Sequence, residues 1–456
     1  MTIISRPLSV VENFFRSRTA VGYYTNFQLT ATYSEKISLE LLGKALRKTL
    51  IDYHILACNI QKGTEYCSYE PIEEIYLNDI VESQINDEIS EEFLKKVSDI
   101  QFQLYTNKPL FKVILLGNFK ICAIFEHSIA DGIAGVHFHE ILIENFDFIQ
   151  RNPIEFEQEY GWVGINSPIF NLNQDQDKIK YSLPPPVDYF LEHYNVDYSN
   201  NDPNHYSKIT PPGYEKWKGR FPSCREFSSA FKLVNISPIK INQILQKCKK
   251  EGVTLTAFIE VVEALTLQPV FGDSCYTSHK VAMNLRRHLS VEGDLGKHLE
   301  NYPNHKVLGT MAHMGLSENF PPIKEFSWDL VRSVNSNILQ SVANKKVLNV
   351  SKAFNDIASP IDDNKEIFTS QAGKTRPDAI KISNLGFVQA SSGNWNITDV
   401  VFSQDLAVIA ADFMLNIVST KAGGLNFVLS FIDNPELELT DVANTLKDNL
   451  LKFALE

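Results

Sequence analysis

The alternation of apolar and polar positions divides the chain into strands and helices of mixed order. Residues 120–126 are almost continuously apolar, as a buried strand would be, and residues 110–116 pair with them in a predicted hairpin across Gly117-Asn118. Residues 133–149 follow with Val136, Ile141, Ile143 and Phe146 at helical spacing. His127 and Asp131 therefore fall on a strand-to-helix connection. Upstream, residues 10–18 read as a short helix and 22–33 as a strand rich in aromatic and β-branched residues. Ser38 is placed to cap a helix whose Leu41, Leu42, Ala45, Leu46 and Leu50 share one side. Strands are expected near 55–60 and 65–69, and a helix over 91–102.

The second half restarts the pattern. A strand at 227–234 leads to a helix from Ser237, and residues 252–256 open another helix that runs to about residue 267. Residues 281–287 predict a strand ending in Arg286-Arg287. A helix is expected over 326–344, strands over 380–386, 396–402, 406–420 and 424–431, and a closing helix from 440. Between the halves, residues 151–222 are rich in Asn, Asp, Tyr and Pro, including Pro184-Pro185-Pro186, which suits a crossover. Its aromatic content suits a segment lying against the units rather than a free tail. The expected organisation is an N-terminal unit over 1–150, a crossover over 151–222 and a C-terminal unit over 223–456, all of the α/β class.

Composition narrows the function classes. With 44% hydrophobic and 21% charged residues, the 456-residue chain is globular and too long for one ordinary core. A net charge of −12 and no basic stripe argue against nucleic acid as a partner. The six cysteines show no CxxC pairing and no zinc-like spacing, which suits a reducing compartment. No secretory pattern stands at the start and no run of about 18 apolar residues occurs, so a cytoplasmic protein is expected. The phosphate-binding patterns GxxxxGK[ST] and GxGxxG are absent.

The chemistry concentrates in His127-Ser128-Ile129-Ala130-Asp131-Gly132. Histidine can accept a proton near neutral pH, aspartate can fix a loop, and glycine permits a backbone course that a side chain would block. His137 and His139 lie nearby, but residues two apart on a helix point in different directions, so no metal is expected.

This six-residue stretch resembles the HxxxDG signature of the CoA-dependent acyltransferase superfamily, which includes chloramphenicol acetyltransferase, the plant BAHD enzymes and condensation domains. Glu12 to Arg18, followed by Gly22-Tyr23-Tyr24-Thr25-Asn26-Phe27, is similar to the opening of the fungal alcohol O-acetyltransferases. Val281-Ala282-Met283-Asn284-Leu285-Arg286 resembles the superfamily's second-domain arginine strand, and Ser383-Asn384-Leu385-Gly386 stands where BAHD enzymes carry DFGWG.

The resemblance implies two chloramphenicol-acetyltransferase-like α/β domains with a channel between them. It implies His127 as general base for direct attack on acetyl-CoA, with no permanently bound cofactor. Asp131 would be structural and paired with Arg286, with Arg287 the neighbouring alternative. Gly132 would be a backbone requirement, and Ser383 or Asn384 a channel or oxyanion group beside the bland reading of a turn. The basic loop at Lys374 and Arg376 would either meet CoA phosphates or simply be solvated. The acceptor would be a small or medium-chain alcohol, with a sphingoid base or other long-chain amine as the alternative and an inactive binding protein as a third reading. Relatives in the fungal branch associate with endoplasmic reticulum or lipid droplets, so the resemblance permits peripheral membrane contact, for which the end helices are the places to look.

Overall fold

The computed structural model describes residues 4–162, 164–185, 210–219, 228–288, 306–343, 361–370, 374, 376, 378–406, 411–432 and 441–456. Along the chain these form α1 (Val10–Ala20), β1 (Phe27–Tyr33), α2 (Leu39–Asp52), β2 (Val81–Gln84), α3 (Glu91–Ser98), β3 (Phe111–Leu116), β4 (Lys120–Phe125) and α4 (Gly132–Arg151). The second half supplies β5 (Glu215–Lys216), β6 (Ser229–Ile236), α5 (Pro238–Glu251), α6 (Leu255–Phe271), β7 (Cys275–Asn284) and β8 (Ala312–Phe320). It ends with α7 (Trp328–Ala343), β9 (Ile380–Val388), β10 (Ser391–Ser392), β11 (Trp395–Gln404), β12 (Phe413–Thr420), β13 (Gly424–Ile432) and α8 (Val442–Leu455). Short strands elsewhere, among them Cys58–Lys62 and Cys67–Pro71, make two smaller sheets.

Two mixed sheets dominate. The first has the order β10-β11-β1-β4-β3-β2, and the second β5-β7-β9-β12-β13-β6 with β8 beside β7. The β3–β4 hairpin turns at Gly117-Asn118, both with positive φ. Strand β4 alternates: Ile121, Ala123 and Phe125 face a core shared with α2 and α4, while Cys122 and Ile124 join a second layer with Phe93 and Leu94 of α3. The second sheet buries Ile380, Ile382, Leu415 and Leu429 beneath α6, whose Phe258, Val261 and Val262 are inaccessible.

Several expected elements move at their ends. Residues 54–57 form a 3₁₀ turn, not the start of a strand, because Tyr53 caps the end of α2 and leaves the chain curled until Cys58. The strand expected from residue 22 begins at Phe27, after a turn at Gly22 with φ 76°. The expected strand over 281–287 ends at Asn284, and Leu285–His288 close a 3₁₀ turn that carries Arg286. Strand β11, in sequence part of the C-terminal half, lies in the first sheet: Val401 pairs with Thr30 and Phe402 with Leu29. The described residues of 151–185 fold onto the first half, while those of 210–219 lie on the second, where Glu215 pairs with Cys275 and Trp217 packs on Phe271. Arg47 pairs with Asp175 and donates to the Tyr160 and Ile169 carbonyls, and Tyr160 donates to Asp52. Pro186, Tyr189, Phe190, Tyr194 and Tyr206 lie outside the described residues.

No single helix among the described residues is long and apolar enough to cross a membrane. The end helices turn their apolar sides inward: Val11 and Phe15 of α1 and Leu446 and Leu450 of α8 are buried.

Candidate active site

His127 lies two residues past the end of β4 and Asp131 caps the N-terminus of α4, with Oδ1 accepting from the Ala134 N–H at 2.8 Å. The intervening loop is tied down from several sides. Thr310, from the second half, donates through Oγ1 to the carbonyls of His127 (2.6 Å) and Ser128 (2.8 Å). Tyr69 donates to the Ser128 carbonyl at 2.8 Å, and Glu126 accepts from the Ser128 N–H and from Thr19, both at 2.7 Å.

Asp131 and Arg286 form a buried pair across the two halves. Arg286 Nη1 reaches both carboxylate oxygens, at 2.9 and 2.7 Å, and Nη2 donates to the Val307 and Gly309 carbonyls. The Met311 N–H adds a further bond to Oδ2 at 2.7 Å. Burial alone would raise the Asp131 carboxyl. The guanidinium and the two backbone donors outweigh it and hold the group below its ordinary value. A charge this well met is a structural joint, and it points away from any role as a proton acceptor. The side chain of Arg287 is outside the described residues.

Gly132 has an ordinary φ. Its constraint is space: an added Cβ would stand 2.6 Å from Leu385 Cδ2, on a strand of the other half. The position marks a close approach of the halves, not an unusual turn, and an added methyl would have to displace the tip of the Leu385 side chain.

The His127 ring is packed by aromatics. Phe15 stacks on it at 4.2 Å with an interplanar angle of 9°, and Phe27 and Tyr24 lie at 5.1 and 5.8 Å. Arg18 sits between Phe15 and Tyr24, its guanidinium carbon 4.5 and 4.2 Å from their centroids. The aromatics thus orient the imidazole, and the cation sits behind them. Burial, with help from Arg18 and Lys381, lowers the His127 pKa to about 3. The imidazole is therefore neutral throughout the physiological range, with Nδ1 buried and no hydrogen bond to another described residue.

His127 lines a cavity of about 380 Å³ between the two halves. Phe15 and Phe27 lie on its first-half side, and Met283, Lys381 and Ser383 on its second-half side. Ile338, Leu339 and Val342 of α7 give it an apolar flank. The arrangement offers a neutral proton acceptor in a largely apolar space lined by both halves, as a site where two substrates meet at one base would need.

The remaining expected site residues divide. Ser383 faces the cavity from β9. Asn384 also borders it, but its amide is occupied: Nδ2 donates to Thr256 and Oδ1 accepts from the Gly386 N–H. Lys374 is exposed. Arg376 is buried, donating to the Ala411 carbonyl at 2.8 Å with Asp412 at 3.4 Å, so its guanidinium does not face solvent-borne phosphate. Gly373 and Thr375 of that loop lie outside the described residues. His139 is a core histidine, bonded to Tyr33 at 2.6 Å and the Leu29 carbonyl at 3.1 Å.

Phe15, Arg18 and Lys381 were not found from the sequence. Arg18 stood within the N-terminal run, but nothing local showed that α1 lies against His127. The signal for Lys381 was a lysine between two isoleucines on a strand, a charge on an otherwise buried segment.

Comparison with known proteins adds an independent line. The family model described as alcohol acetyltransferase matches residues 8–453. The N-acetyltransferase SLI1 of Saccharomyces cerevisiae is 22% identical, covering 93% of this chain and 94% of its own length. Alcohol O-acetyltransferase 2 of the same yeast is 24% identical, covering 94% and 91%. Among solved structures, the TRI3 trichothecene 15-O-acetyltransferase of Fusarium sporotrichioides superposes with a TM-score of 0.64 at 12% identity, over 98% of this chain and 95% of its own. At that identity the likeness establishes the fold, the two-domain arrangement of chloramphenicol-acetyltransferase-like enzymes. With the family match spanning nearly the whole chain, this protein belongs to the alcohol acetyltransferase family and is an acetyltransferase.

Proposed function

We propose that the protein transfers acetyl from acetyl-CoA to an alcohol hydroxyl, with His127 as general base. The observation that carries this reading is the neutral imidazole of His127 on the wall of a cavity bounded by both halves. The acceptor hydroxyl attacks the thioester carbonyl while the imidazole takes its proton. The tetrahedral intermediate then collapses, breaking the C–S bond, and the same proton passes to the departing thiolate. No acyl-enzyme is needed, because both substrates reach the base together. Ser383, facing the cavity, is the candidate hydrogen-bond donor to the tetrahedral oxyanion. Lys374, exposed near the second half's surface, is the described cation of its loop open to a CoA phosphate.

A second reading, transfer to a long-chain amine, is supported by the similarity to SLI1, as extensive as that to Alcohol O-acetyltransferase 2. Thiol release from acetyl-CoA with matched alcohols and amines, products identified by mass, separates the two. Ester formation is expected. Amide formation alone would transfer the assignment to the amine class, and no thiol release with any acceptor would remove both readings.

A further inference from the structure

Besides His127, the described residues of the cavity wall include two charged side chains, Asp131 and Lys381. Asp131 is fully engaged by Arg286 and two backbone N–H groups. Lys381 is 8% exposed, and among the described residues no carboxylate lies within ion-pair distance of it. It stands on β9 between Ile380 and Ile382, which enter the second core, and shares the cavity side of the strand with Ser383. The acid that influences it, Asp378, is paired with Lys280 at 2.9 Å. The other groups around it are Arg18 and Lys280, both cationic, and His127, which is neutral. Arg18 is itself buried, and among the described residues its Nε and Nη2 have no acceptor.

An ammonium enclosed without a counter-ion is unfavourable, and burial together with Arg18 and Lys280 lowers Lys381 to about 7. A methionine or leucine would fill the same place on the strand without that cost. We infer that Lys381 is the binding point for an anionic group, a carboxylate or phosphate, carried by the acyl acceptor beside its nucleophile. The assignment rests on the reading that this cavity receives the acceptor. Arg18 would add long-range attraction from behind the Phe15 and Tyr24 rings. An anion there restores the missing partner and favours the charged form of Lys381, so its binding draws in a proton near neutral pH.

Calorimetric titration of the intact protein with octanoate, octyl phosphate, 1-octanol and CoA tests this without turnover. At pH 6 one of the two anions is expected to bind about 10–100-fold more tightly than 1-octanol, the range for a hydrogen bond to a charged group. The advantage should shrink at pH 8.5. Lys381→Met should abolish it and Lys381→Arg should retain it, with CoA affinity unchanged in both. Equal affinity for anions and 1-octanol overturns the inference, as does an advantage that survives in Lys381→Met. A loss confined to CoA would assign Lys381 to a cofactor phosphate and overturn it as well. Lys381→Met removes an uncompensated charge and is expected to melt no lower than the wild type. Absent thiol release from acetyl-CoA would count against the catalytic reading alone, since these titrations require no reaction.

Discussion

At His127, enclosure by Phe15, Phe27 and Tyr24 and the field of Arg18 oppose protonation. Such an imidazole takes a proton only as negative charge forms beside it, for instance on an oxygen attacking a carbonyl. Its neutral form persists far below the usual histidine value of about 6.5. For a neutral alcohol acceptor, kcat/KM should therefore show no inflection near pH 6.5 and stay level, with respect to this group, down to about pH 5. Half-maximal activity at pH 6.5 would show that the ring is solvated and ordinary. At the same scale, Lys381 has no counter-ion among the described residues and Asp131 has several donors. Two buried charges on one cavity wall thus differ in kind: one closes a joint and the other remains open to a ligand.

At the scale of elements, the loop between β4 and α4 is held by the opposite half of the molecule through Arg286, Thr310 and Met311. Removing one partner of a buried pair leaves the other charge unmatched, at a cost of about 3–5 kcal/mol. Asp131→Ala and Arg286→Ala should each lower the unfolding free energy by an amount of that order, read from denaturant titration, as well as slow transfer. The double variant should cost much less than the sum, because the two act as a unit. Normal melting with lost turnover in Asp131→Ala would instead give the carboxylate a direct chemical role. The strands and helices around this joint were legible from local pattern. The β3–β4 hairpin, the helix behind Ser38 and the helix opened at Thr254 stand where alternation, caps and turn residues put them. What escaped were long-range facts. Nothing within residues 396–402 shows that their strand inserts beside Phe27–Tyr33, and nothing near Arg376 shows that Asp412 lies beside it. The same limit hid α1 behind His127, since a stacked ring fifteen places from the start leaves no trace in spacing.

At the scale of the whole molecule, buried titratable groups set opposing pH limits. His54, His127, His137, His139 and His279 all have lowered pKa values, chiefly through burial. Below about pH 6.5 the unfolded chain protonates these five while the folded one does not, so stability falls with acidification. Glu260, Glu263 and Glu318 are raised, again chiefly by burial, and Glu318 lies at about 7. The unfolded chain loses its glutamate protons above about pH 4.3 while the folded chain keeps them on Glu260 and Glu263, so this contribution lowers stability as pH rises from there. Thermal melting should peak near pH 6.5, and Glu260→Gln combined with Glu263→Gln should flatten the alkaline side and steepen the acid side, where the two glutamates partly offset the histidines. A melting temperature rising steadily to pH 9 would contradict this balance. The two sheets, the joint between them and the cavity they enclose are what the proposal rests on, that acetyl passes directly to an acceptor whose proton His127 removes. The most direct test is thiol release from acetyl-CoA by His127→Ala at saturating acceptor, with melting measured on the same preparation. The expected result is a normally folded variant whose rate falls about 10²- to 10⁴-fold, and near-wild-type release from that folded variant would contradict the claim.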